Sequence, residues 1–193
     1  RAYSYVRYSY GIYFESEYYS YDTGVTDTRI NIVHRINDNY IMYLTQNGYY
    51  QNYGIYYYSE YDSDYVDSYI HVDVQICRNN IYSNYRFYAG IYFEQYPAYD
   101  MNEWVYSYLE THRDINSNTI TVGDDQDTGY DYGIYIYDDY ETYSGWLDWV
   151  DYTNVSDNDI SWLSNSRYNY GIYFCRYSYD NDPGYPSTSV SVA

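Results

Sequence analysis

The chain has 193 residues, of which 40 are Tyr, and nine basic residues set against 28 acidic ones leave a formal net charge of −19. A surface this acidic repels phosphate backbones and anionic lipid, which excludes nucleic-acid binding and attachment to a charged membrane face. No run of about 18 apolar residues is present to insert into a bilayer.

Leu occurs only at Leu44, Leu109, Leu147 and Leu163 and Lys is absent, whereas Tyr, Val, Ile and Thr abound, so strand propensity dominates and the chain reads as all-β. In chain order, residues 2–10 read as a lead-in strand and the phrase YGIYF (10–14) as the next one. An acidic, Tyr-rich loop is expected at 15–24, then strands at 29–33 and 39–46. The pattern returns with YGIYY (53–57), a loop at 59–65, and strands at 69–76 and 80–88. After AGIYF (89–93) come a loop at 94–100, a conceivable helical turn at 104–110 and a strand at 118–122. YGIYI (132–136) precedes a loop at 138–145 and a strand at 159–163; the last phrase, YGIYF (170–174), is followed by strand-like text at 187–193.

The five phrases place glycines at Gly11, Gly54, Gly90, Gly133 and Gly171, in steps of 43, 36, 43 and 38 residues. A unit of about 40 residues is therefore repeated, and the alternating steps suggest pairing into units of about 80. The corresponding division is residues 1–87, 88–169 and a partial fifth repeat at 170–193. Period-2 alternation puts Tyr10, Ile12 and Phe14 on a core face and Gly11, Tyr13 and Glu15 on the other. Ile12, Ile55, Ile91, Ile134 and Ile172 are then expected at equivalent buried positions, with Tyr13, Tyr56, Tyr92, Tyr135 and Tyr173 opposite. The recurring Gly signals either close approach of a neighbouring group or a kink for sheet curvature. Turn signals between the strands suggest tandem repeats forming antiparallel sheets in a sandwich or barrel-like body.

Residues 137–145, followed by Asp157, Asn158 and Ser161, together with the spacing of about 40 and 80 residues, resemble the βγ-crystallin Greek-key repeats. The resemblance implies Greek-key strand pairing and a calcium site at Asp157, Asn158 and Ser161. Independently, Asp124, Asp125 and Asp127 crowd the hard oxygen ligands that calcium prefers, although a solvated acidic loop has the same composition.

Chemistry that catalysis would need is missing: there is no nucleophile elbow, phosphate-binding Gly loop or zinc-protease motif. His34, His71 and His112 are far apart in sequence and read as strand or surface residues, and the adjacent Asp138 and Asp139 are unremarkable in so acidic a chain. No enzyme activity and no obligatory cofactor are expected. Cys77 and Cys175 permit one disulfide and equally permit free thiols. Asn154-Val155-Ser156 has the form of a glycosylation acceptor. The start at Arg1 reads as a mature N-terminus, and with the composition it suggests a secreted, extracellular protein.

Forty phenols exceed what one core can hold, so many must lie on surfaces, where Tyr is an efficient contact residue. The expectation is a structural subunit whose partner is itself, in a fibre, filament or matrix. The alternative is a calcium- or carbohydrate-binding β module with glycans as partners.

Overall fold

The computed structural model describes residues 8–20, 28–43, 52–63, 68–83, 88–96, 106–123, 130–142, 146–163, 168–180 and 189–192. Among these, the first coil comprises β1 (Ser9–Ser20), β2 (Thr28–Asn37) and β3 (Tyr40–Tyr43), and the second β4 (Asn52–Ser63), β5 (Ser68–Cys77) and β6 (Asn80–Ser83). The third coil has β7 (Ala89–Tyr96), β8 (Tyr106–Asn116) and β9 (Thr119–Val122). The fourth has β10 (Tyr130–Thr142), β11 (Trp146–Ser156) and β12 (Asp159–Trp162), and the fifth β13 (Tyr168–Asp180) and β14 (Ser189–Val192).

Corresponding strands stack into three sheets. The first runs β1-β4-β7-β10-β13, the second β14-β11-β8-β5-β2 and the third β12-β9-β6-β3. Every pairing is parallel, because each repeat visits the three sheets in the same sense before returning to the first. The result is a three-faced parallel β-solenoid, one coil per repeat of about 40 residues. All-β architecture holds; the antiparallel Greek-key sandwich or barrel does not. The turn signal at Asn79-Asn80 bends the chain from the second sheet into the third instead of folding it back as a hairpin, and Asp38-Asn39 makes the same bend in the first coil.

Element boundaries differ from the sequence reading in instructive places. The loops expected after each phrase begin as strand: β1 continues to Ser20, β4 to Ser63, β7 to Tyr96 and β10 to Thr142. The helical turn at 104–110 is corrected as well, since β8 occupies Tyr106–Asn116. The strands expected at 118–122 and 159–163 belong to the third sheet, and β11, ahead of the latter, was not anticipated.

The five isoleucines align in register as Ile12, Ile55, Ile91, Ile134 and Ile172. The central three are fully buried, Ile12 is half-buried and Ile172 is 50% exposed at the end of the stack. The core is completed by Ile36, Ile76 and Ile115 from the second sheet and Ile41, Ile81 and Ile120 from the third. Each fully buried Ile contributes about 1.5–3 kcal/mol, so the repeat lays down one increment of core per coil.

Strict alternation fails at the glycine. A Cβ on Gly11 would point inward at Ile41 and lie 2.6 Å from the Gly54 carbonyl oxygen of the next coil; on Gly133 it would lie 2.6 Å from both Ile160 and the Gly171 carbonyl. Close approach of neighbouring groups is therefore what glycine serves here. The same break moves Tyr10 off the core face: its ring packs with Tyr13 on the outside, while Ile12 and Phe14 stay against the core.

Candidate functional site: an aromatic rail, a buried charge square and an asparagine corner

Because the strands are parallel and in register, identical side chains fall on top of one another on the outside of the first sheet. Tyr13, Tyr56, Tyr92, Tyr135 and Tyr173 form one continuous stack, with successive ring centroids 5.3, 5.1, 5.0 and 5.1 Å apart. A second column runs beside it, with Tyr10 stacked on Tyr53 and Tyr132 on Tyr170. Ala89 occupies that column in the third coil, and the ring of Tyr88 fills the gap, edge-on to both Tyr53 and Tyr132. Each such pair adds about 0.5–1.5 kcal/mol beyond burial.

The rail is also a row of donors. Tyr13 donates to Glu15, Tyr56 to Glu94 and Tyr58 to Glu60. Burial first, then the Glu15 carboxylate, push the Tyr13 phenol up to about 12; burial and Glu94 hold Tyr56 far above its ordinary value. These hydroxyls are protonated under any physiological condition. Within the stack the ring faces are covered by neighbouring rings, so solvent meets edges and hydroxyls.

Inside the solenoid, between the first and second sheets, lies a cluster that the sequence reading missed. Arg113 on β8 is fully buried and pairs with Asp138 on β10 at 2.6 Å and with Asp151 on β11. Arg176 on β13 contacts the same two carboxylates at 2.9 and 2.5 Å, closing a square of two cations and two anions. The Arg113 guanidinium lies over the Phe93 ring, and that of Arg176 lies 4.3 Å from the centre of the Trp149 ring. Thr153 accepts a further bond from Arg113, and the Trp149 indole donates to Thr111. Burial pulls the Arg113 pKa down, but Asp138 and Asp151 outweigh it and leave the group above its ordinary value. The available signal was parity: Asp138 and Arg176 are two residues beyond Ile136 and Phe174, on the inward face. Asp139 faces outward and accepts from Tyr137, so the adjacent acids act on opposite sides of the sheet.

The corner between the second and third sheets is built by Asp38, Arg78, Ser117 and Asp157, all with positive φ (62°, 57°, 55° and 55°), each followed by Asn. The side-chain carbonyl of Asn79 accepts from both the backbone and side-chain N–H of Asn39; Asn118 does the same for Asn79, and Asn158 for Asn118. Each of these three amides also donates to a main-chain carbonyl of the preceding coil, at Ile36, Ile76 and Ile115. Asn158 is thus engaged in this ladder, Asp157 is the exposed corner residue, and the Ser161 hydroxyl pairs with Thr121 at 3.2 Å. A calcium ion at Asp157 would have to be held without free lone pairs from Asn158. Asp124, Asp125 and Asp127 lie outside the described residues. Cys77 and Cys175 are free thiols on different sheets, and Asn154 is exposed on β11, donating to Asp114.

Stacked aromatics outside, a closed charge square inside and an amide ladder at one corner together define a regular parallel β-solenoid. No family model matches the chain, and no match is found among the curated proteins or the solved structures.

Proposed function

We propose that the chain is a non-enzymatic, secreted structural subunit that stacks end to end, coil on coil, into rods or a fibrous matrix. The observation that carries this reading is Gly171. At Gly11, Gly54, Gly90 and Gly133 an added Cβ would collide with the next coil's glycine carbonyl, whereas at Gly171 the nearest atom is on Trp162 at 4.0 Å. The fifth phrase keeps the glycine although no described strand of the first sheet lies on the side of β13 away from β10. Beside it, Ile172 and Phe174 are 50% and 42% exposed at positions that are sealed in the central coils.

The surface that fits is β1 of a second copy, which carries the same phrase. Tyr13 would stack on Tyr173, Ile12 and Phe14 on Ile172 and Phe174, and the Gly11 carbonyl would approach Gly171. A head-to-tail contact of this kind propagates without closing. The rail favours self-stacking over glycan binding, because sugars need open ring faces and most of these are taken. The net charge of −19 opposes association at low ionic strength, and calcium at the acidic loops would serve as a neutralising ion.

The test is Gly171→Val, compared with the parent by sedimentation and electron microscopy at about 0.15 M salt, where the Debye length is about 8 Å. The parent should form rods that grow with concentration, with an axial repeat of about 24 Å, five coils at the inter-strand spacing of about 4.8 Å. The variant should remain a monomer and should melt as the parent does at a dilution where the parent is also monomeric. Rods from the variant, or a parent that stays monomeric at millimolar concentration with calcium present, would sink the reading.

A further inference from the structure

We propose that His71, Glu110 and His112 form a transition-metal site, of the class that takes zinc, on the outer face of the second sheet. His71 on β5 and Glu110 on β8 are direct neighbours in the parallel register, and His112 is two residues further along β8, on the same face. Sequence separation hid the cluster, since about one coil's length of chain runs from His71 to Glu110. In space, the Glu110 carboxylate spans the two rings: one oxygen is 2.9 Å from His112 Nε2 and the other 3.4 Å from His71 Nδ1. The three candidate ligand atoms all lie within 4.8 Å of one another.

Ligand atoms around a tetrahedral zinc with bonds of about 2.0–2.1 Å are about 3.3 Å apart, so small side-chain rotations bring this set onto one ion. The backbone positions are already fixed by continuous sheet on both strands. The Tyr69 hydroxyl donates to Glu110 at 3.1 Å and orients the carboxylate, and the Tyr152 ring packs 4.6 Å from the His112 ring. Asp73 is in register with His112 and on the same strand face as His71, so a fourth ligand would come from that position or from water. The side chains are 32%, 23% and 44% exposed, open enough for an ion to enter. Two imidazoles and a carboxylate select zinc, copper or nickel over calcium and magnesium, and the acidic surface draws cations towards the site. A bound ion would tie the second coil to the third from outside.

The experiment is titration of the whole chain with zinc against a chromophoric chelator at neutral pH, repeated on His71→Gln, His112→Gln and the double variant, with circular dichroism to confirm that each folds. The parent should bind one equivalent, and each single variant should bind at least about 100-fold more weakly, the upper end of what losing a mere supporting partner costs. Cobalt substitution should show ligand-field bands without thiolate charge transfer, which separates the site from Cys77 and Cys175. Millimolar calcium should leave the bound zinc in place. Equal zinc affinity in parent and double variant, a thiolate spectrum, or displacement by calcium would each overturn the assignment.

Discussion

Removing one cation from the square of Arg113, Asp138, Arg176 and Asp151 would strand carboxylate charge where side-chain exposure is zero. Breaking a buried pair in this way costs about 3–5 kcal/mol, whereas a balanced replacement by apolar groups is often neutral. Arg113→Met should therefore destabilise the protein by about 3–5 kcal/mol in urea unfolding. Adding Asp151→Leu, which leaves the single pair of Asp138 with Arg176, should recover a large part of that loss. If the double variant is as unstable as the sum of the two single ones, the square is not the coupled unit described here. His34 poses a milder version of the same problem: burial lowers its pKa, and it meets the Tyr57 hydroxyl at 2.8 Å. Its neutral form is favoured by folding, so its contribution is present above the ordinary value of 6.5 and is lost as pH falls towards the folded pKa.

At the scale of the element, the corner asparagines join one coil to the next. Asn118→Ala would orphan the Ile76 carbonyl and the Asn79 backbone N–H, and unpaired buried groups cost about 1–3 kcal/mol each. The expected loss is roughly 2–4 kcal/mol by denaturant titration, while Asn154→Ala, on an exposed strand position, should change stability by less than about 0.5 kcal/mol. The repeat and its inward isoleucines were legible from the phrase spacing and period-2 alternation alone. Strand direction was not, since half-buried parallel and antiparallel strands share that alternation. The Asn ladder was legible in principle: its partners are 40, 39 and 40 residues apart, a steadier step than the glycines show. The step is hidden because Asp157-Asn158 reads equally well as a pair of ion ligands and Asn79-Asn80 as a turn. The His71, Glu110 and His112 cluster could be found only once the parallel register placed residues one coil apart side by side.

At the scale of the whole molecule, contacts connect each coil chiefly to the coils above and below, so stability is close to a sum over coils and their interfaces. The corner bonds recur at every step, with Asp38, Arg78 and Ser117 each donating a backbone N–H to the next coil. Residues 40–79, from one corner asparagine to the next, are therefore an interchangeable segment, and a tandem duplication of them joins Asn79 to Tyr40 just as Asn39 joins it now. Such a chain should fold, unfold in one transition at a temperature no lower than the parent's, and measure about 4.8 Å longer by small-angle scattering. A misfolded or two-transition product would show that the coils are not equivalent. Length in this protein is thus graduated in whole turns of chain, and a gene that slips by one repeat changes the reach of the solenoid without redrawing its cross-section.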